Sequence, residues 1–217
     1  MNKKYFFFDI DGTLTDTQTH KVVSSALIAL KELVNNGHFV AIATGRAQFK
    51  SVRVMKECGL HNMVCNGGGG LVIKEKLVVN IPLDNNKAKA LIKEAEAKSI
   101  GILLMLDDSD KCYSKNDLFI RQVGKRSEPT EYIFDSTLDY DNLNEIFKIY
   151  LSLSKEDETQ LCLINTLGNL RFTPEYLMFQ FDEKHKGIEN MMKHLKADFK
   201  YVVVFGDDIN DLVMFDK

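Results

Sequence analysis

Three short polar clusters hold the side chains whose type and spacing could act together chemically. They are Asp9-Ile10-Asp11-Gly12-Thr13, Thr44-Gly45-Arg46 and Gly206-Asp207-Asp208-Ile209-Asn210-Asp211. Carboxylates that converge repel one another unless a cation is present. The hard oxygens of Asp9 and Asp207 suit Mg²⁺, which accepts a few protein oxygens and keeps several waters. Asp9-x-Asp11 alone is a weak signal, since the pair also opens EF-hand loops and recurs in sugar-nucleotide metal sites. A calcium loop is excluded here. It needs a carboxylate or amide where Thr13 stands, a glycine later than Gly12, and Glu where His20 stands.

Each cluster follows an apolar run: Tyr5–Phe8, Phe39–Ala43 and Tyr201–Phe205. None of the runs alternates with polar residues, so each reads as a strand buried on both faces, as in a parallel sheet. Val23, Ala26, Leu27, Leu30 and Val34 recur at helical spacing between the first two runs, and Asn36-Gly37 ends that helix. A second helix is expected over about Ala47–Glu57 and a short strand near Met63–Cys65, followed by Asn66 and four glycines that read as a loop or hairpin turn. In an open parallel sheet, ligands bind beyond the carboxyl ends of the strands. If the three strands are neighbours, the three clusters meet there.

The texture changes near Pro82. Asp84 reads as a helix cap, with Ala88, Leu91, Ile92 and Ala95 as the apolar stripe behind it. Ile100–Leu106 and Lys111–Ser114 read as strands. Leu143, Ile146, Phe147, Tyr150 and Leu151 suggest a second amphipathic helix. Leu161–Leu167, Leu170–Phe172 and Met178–Phe181 suggest further strands, with Gly168-Asn169 as a hairpin turn. The expected architecture is α/β: a Rossmann-like parallel core from residues 1–81 and 183–217, interrupted by an α+β module over residues 82–182.

The chain has 217 residues and a formal net charge of −3, which argues against a nucleic-acid surface. Cys58, Cys65, Cys112 and Cys162 are scattered without a C-x-x-C pair, so reduced thiols are expected rather than disulfides or zinc. The apolar run before Asp9 is too short for a secretory signal, and no stretch approaches a membrane span. A cytoplasmic protein is expected, with no nucleic-acid or membrane partner. The oligomeric state is not legible.

Asp9-Ile10-Asp11-Gly12-Thr13-Leu14-Thr15 resembles the signature of the haloacid dehalogenase-like hydrolase superfamily. Ala43-Thr44-Gly45-Arg46, Asn66-Gly67, Lys186-Gly187 and Gly206-Asp207-x-x-Asn210-Asp211 are similar to its remaining motifs, in order. The long insert after Asn66-Gly67 resembles the Cof-type branch, whose members carry a large class II cap of the IIB kind. The resemblance implies a Mg²⁺-dependent phosphatase acting on small phosphorylated metabolites, with sugar phosphates foremost, through an aspartyl-phosphate. Asp9 would be the nucleophile and Asp11 the general acid and then base. Lys186 would pair with the nucleophile and the phosphate. Thr44, backbone N–H groups near Gly45, and Asn210 would hold phosphate oxygens. Mg²⁺ would be held by Asp9, the backbone carbonyl of Asp11, and Asp207. Asp211 would act behind these ligands, through water or by orienting the lysine.

Lys184 lies close to Lys186, and the glycine and helix that follow favour Lys186. Arg46 reads equally as pocket wall or salt bridge. The cap would close over the site and select the substrate; within it Arg121, Lys125 and Arg126 would either meet an anion or form a solvated patch. The chain stops at Lys217, inside the helix expected after Asp211, where similar proteins continue the sheet, so part of the core's C-terminal end is expected to be missing. Two further readings stand beside the phosphatase: a sugar phosphomutase, and a non-catalytic binder of phosphorylated metabolites.

Overall fold

The computed structural model describes residues 3–208 and 211–215. The chain divides into two compact units, Met1–Asn80 with Asp182–Lys217, and Ile81–Phe181.

The first segment of unit one contains β1 (Tyr5–Phe8), α1 (Ser24–Asn35), β2 (Phe39–Ala43), α2 (Gln48–Glu57), β3 (Met63–Cys65), β4 (Gly70–Ile73) and β5 (Lys76–Asn80). Unit two contains α3 (Asn85–Ala97), β6 (Ile102–Met105), β7 (Lys111–Ser114), α4 (Leu118–Val123), β8 (Glu131–Phe134), β9 (Lys148–Leu151), β10 (Asn169–Leu170) and β11 (Leu177–Gln180). The chain then returns to unit one with α5 (Lys184–His194), β12 (Val202–Phe205) and α6 (Leu212–Phe215).

The sheet of unit one has the order β12-β1-β2-β3-β4-β5. Its first four strands are parallel. The second half of β1, Phe7 and Phe8, is buried on both faces, while Tyr5 and Phe6 are half-buried. Phe8 packs with Ile10, Ile42 and Met55 on one side, and Phe7 with Ala41, Val64, Ile188 and Met191 on the other. Burying a side chain of this size contributes about 1.5–3 kcal/mol. Phe8 is in register with both Ile42 and Phe205, so the three strands end nearly level. The sheet is not parallel throughout: β4 and β5 run antiparallel. Their hairpin turns at Lys74 and Glu75, both in the left-handed region (φ 49 and 67), the conformation that matches strand twist in a two-residue turn.

In unit two the order is β10-β11-β9-β6-β7-β8. Asp84 caps α3, its carboxylate accepting the N–H of Lys87 at 3.0 Å. Ala88, Leu91, Ile92 and Ala95 of α3 pack on Ile102, Leu104, Ile149, Leu151, Leu177 and Phe179. The helix expected over Leu143–Leu151 is instead the strand β9. Its residues alternate: Ile149 and Leu151 join the α3 core, while Lys148 and Tyr150 project from the other face. Leu161–Leu167 forms turns rather than a strand. Arg126 is buried, its guanidinium 4.0 Å from the ring centroid of Tyr150 and paired with Glu128, while Arg121 pairs with Asp117 at the surface. All four cysteines are free. Among the described residues no helix is long and apolar enough to cross a membrane.

Candidate active site

Level strand ends place the polar clusters side by side. Asp9 directly follows β1, and its N–H donates to the carbonyl of Phe205 at 2.9 Å. The Asp9 carboxylate is buried, and its Oδ2 accepts the N–H of Asp11 at 2.9 Å. Its Oδ1 receives the ammonium of Lys184 at 2.8 Å, and the same ammonium reaches Asp211 Oδ1 at 2.5 Å. The other oxygen of Asp211 accepts the N–H groups of Asp207 (3.1 Å) and Asp208 (3.2 Å), which closes the loop after β12. Asp207 itself is exposed, with Oδ1 taking a hydrogen bond from the Thr13 hydroxyl at 2.7 Å.

Burial pushes the Asp9 carboxyl up to about 6, Lys184 opposes this, and Asp211 and Asp11 add to it. Burial also works against the charge on Lys184, but Asp9 and Asp211 outweigh it and hold its pKa above the ordinary lysine value. The ammonium therefore stays charged at neutral pH.

The lysine expected here was Lys186; the structure places Lys184 here instead. Helix α5 begins at Lys184, and its buried face runs through Lys184, Gly187, Ile188 and Met191. At 100° per residue, Lys186 points to the opposite side, where its ammonium pairs with Glu183 at the surface. That three-and-four spacing, counted back from Met191, was the signal in the sequence.

Gly12 sits at φ +83, and a Cβ there would fall 2.0 Å from Asp207 Oδ2. The turn after Asp11 thus needs glycine both for its backbone conformation and for the close approach of Asp207. The Asp11 side chain turns to Arg46, which grips both carboxylate oxygens. Of the two readings of Arg46, the ion pair is the one observed. Thr44 is buried, its hydroxyl accepting the N–H of Arg46 at 3.1 Å. Gly45 lies in the same turn, between Thr44 and α2. Asn210 lies outside the described residues.

Asp9, Asp207 and Asp211 each offer a carboxylate oxygen, and these oxygens lie within 4.8 Å of one another. Three carboxylates against the single Lys184 ammonium leave a formal charge of −2. A hard oxygen set with that excess charge fits a hard divalent cation. Asp211 has both oxygens engaged by protein donors, whereas Asp207 presents its carboxylate to solvent. The sequence did not reveal the pairing of Thr13 with Asp207 or of Arg46 with Asp11, because partners that far apart in the chain leave no local pattern.

A family profile described as haloacid dehalogenase-like hydrolase matches residues 6–217. A Bacillus subtilis (strain 168) protein, YkrA, provisionally named a phosphatase, is 28% identical over 218 residues, covering 100% of this chain and 84% of that protein. The crystal structure of a hypothetical protein from Geobacillus kaustophilus HTA426 superposes with a TM-score of 0.78 at 28% identity, over 98% of this chain and 83% of that one. The structure of BT4131, a subclass IIB sugar phosphatase, superposes with a TM-score of 0.74 at 22% identity, over 98% of this chain and 84% of that one. At that identity the last likeness speaks for the fold.

Proposed function

The chain belongs to the haloacid dehalogenase-like hydrolase family, as one of its phosphatases, and we propose that it is a Mg²⁺-dependent enzyme that hydrolyses small phosphate esters, sugar phosphates foremost, through an aspartyl-phosphate on Asp9. The observation that carries this reading is the setting of Asp9: a carboxylate at a strand end, fixed by Lys184 and a backbone N–H, beside Asp207.

An oxygen of Asp9 attacks the ester phosphorus, and the bond from phosphorus to the leaving oxygen breaks. Asp11, protonated and released from Arg46, gives that oxygen its proton. Asp11 then takes a proton from water as the water oxygen attacks phosphorus, and the bond to Asp9 breaks, returning the carboxylate and releasing phosphate. Lys184 holds Asp9 in one orientation and lowers the repulsion between Asp9 and the incoming phosphate. Arg46 holds Asp11 between proton transfers, when it is a carboxylate. Thr44 and the backbone around Gly45 hold phosphate oxygens. Asp9, Asp207 and the carbonyl of Asp11 would hold the cation, with Asp211 behind them orienting Lys184 and the Asp207 loop. When bound, Mg²⁺ supplies positive charge against the phosphate and the carboxylates. Unit two is the cap and selects the leaving group.

Phosphate release from an aryl phosphate and a panel of sugar phosphates, with and without Mg²⁺, tests this reading. Turnover that needs Mg²⁺ and falls at least a thousandfold in Asp9→Asn is expected. Turnover that survives in Asp9→Asn would exclude the covalent route.

A further inference from the structure

We propose that Asn66 and Asn80 are positioning residues of the active site: the bond between their side chains fixes the turn Asn66–Gly68, and that turn sets Thr44 and Lys184 in place together. The roles of Thr44 and Lys184 are those of the phosphatase reading above, on which this rests.

Thr44 and Lys184 lie on different segments of unit one, so something must hold one against the other. The turn is bonded to both. On one side, the N–H of Asn66 donates to the carbonyl of Arg46 at 2.8 Å, and the N–H of Gly67 to the carbonyl of Thr44 at 3.2 Å. On the other side, the carbonyl of Gly67 accepts the N–H of Glu183 at 2.8 Å. Glu183 is the residue before α5, so this bond fixes the backbone that carries Lys184. Packing leaves little slack. A Cβ at Gly68 would fall 2.3 Å from the carbonyl oxygen of Glu183, and one at Gly187 would fall 2.7 Å from the Cα of Gly68. The turn and the start of α5 therefore touch backbone to backbone, and a shift of one passes to the other.

The turn does not fix itself. Asn66, Gly67 and Gly68 all take left-handed φ values, 51, 64 and 106. Glycine adopts that conformation freely, and asparagine is among the few side chains that tolerate it. Of the three, only Asn66 keeps a side chain, and it is 6% exposed. Its Nδ2 donates to Oδ1 of Asn80 at 2.9 Å. Asn80 ends β5 and lies opposite Gly70 of β4, so a paired strand stands behind the acceptor. Removing the acceptor frees the turn to shift, while every group that touches phosphate or metal stays present. A misplacement of about 1 Å at a reacting group can cost about a hundredfold in rate.

The test compares four proteins in Mg²⁺ on the best ester of the panel above. They are wild type, Asn80→Leu, which removes the acceptor, Asn80→Asp, which keeps it, and Asn66→Gly, which deletes the donor but keeps the left-handed turn. In Asn80→Leu and Asn66→Gly, kcat/KM should fall about tenfold or more, and inhibition by vanadate, a mimic of the phosphoryl transition state, should weaken by the same factor. Asn80→Asp should recover most of the loss. The double variant Asn66→Gly with Asn80→Leu should lose no more than either single one, because all three lack the same bond. Affinity for Mg²⁺ should match wild type, since Asp9 and Asp207 are held by other bonds, and Tm should stay within a few degrees. A merely structural role would lower Tm, Mg²⁺ affinity and activity together. Unchanged kcat/KM in Asn80→Leu, no recovery in Asn80→Asp, additive losses in the double variant, or a matching loss of Mg²⁺ affinity would overturn the proposal. If wild type hydrolyses no ester, the phosphatase reading fails on its own. Calorimetric binding of vanadate in Mg²⁺, at least about tenfold weaker in Asn80→Leu than in wild type and restored in Asn80→Asp, would then still support the positioning role, and binding absent in both or equal in both would overturn it.

Discussion

Replacing Lys184 by methionine removes one ammonium from between two carboxylates while keeping most of the side chain's volume. The lysine is 1% exposed, Asp211 is fully buried, and Asp9 is 5% exposed. Breaking a buried ion pair from one side costs about 3–5 kcal/mol, because the remaining charge is left without compensation. In a chain of this size 1 kcal/mol moves Tm by about 3 °C, so Lys184→Met should melt roughly 10 °C below wild type at pH 7 in chelator. Lys186→Met removes only a surface pair with Glu183, which is worth less than about 1 kcal/mol, and its Tm should move by no more than about 3 °C. The deficit of Lys184→Met should shrink in millimolar Mg²⁺, because a divalent cation restores positive charge beside Asp9. It should also shrink below pH 6, where Asp9 takes up a proton. Differential scanning calorimetry of the three proteins, with chelator or Mg²⁺, measures all of this. A Lys184→Met protein melting with wild type, or a Lys186→Met protein falling as far, would refute the assignment of the buried lysine.

The raised pKa of Asp9 also sets a pH dependence. Since its folded value of about 6 lies above the ordinary 3.8, the native metal-free protein binds the extra proton, and the Asp9 contribution to stability declines as pH rises through that window. Mg²⁺ competes with this proton, so its apparent affinity by titration calorimetry should weaken about tenfold from pH 7 to pH 5, with proton uptake or release visible as buffer-dependent heat; a flat profile would argue against Asp9 as a ligand. Gly12→Ala places a Cβ on Asp207 and should weaken Mg²⁺ binding more than tenfold while the protein remains folded by circular dichroism. Unaltered affinity would show that Asp207 tolerates displacement. Arg46→Met frees the Asp11 carboxylate and should lower kcat about tenfold or more with KM changed less, in steady-state assays; a change confined to KM would place Arg46 on the substrate instead.

The strands that carry the site were legible because their apolar runs stop abruptly at Asp9, Thr44 and Gly206. Their level ends follow from parallel pairing in register. The unit-two strand β9 was not legible. Leu143, Ile146, Phe147, Tyr150 and Leu151 fit a helical stripe on paper, and only the opposing neighbours β11 and β6 reveal the alternation. The antiparallel hairpin β4–β5 was missed because two non-glycine residues, Lys74 and Glu75, take the left-handed turn usually marked by Asn-Gly. The lysine was misplaced by two residues because a motif position was read without asking which face of α5 is buried.

Unit one is discontinuous: Asp9 lies on the first segment, and Lys184, Asp207 and Asp211 on the second. In vectorial synthesis this order matters. Elongation at about 5–20 residues per second means that β1, once made, waits roughly 10–40 s for β12, its parallel neighbour 197 residues later (Val202 less Tyr5). Until then β1 is an aromatic edge strand, and Asp9 has no ammonium to neutralise it. Closing so long a loop adds little entropy beyond that of a shorter one, so delay rather than free energy is the burden, and nascent chains arrested before residue 202 should be the species that engage holdase chaperones.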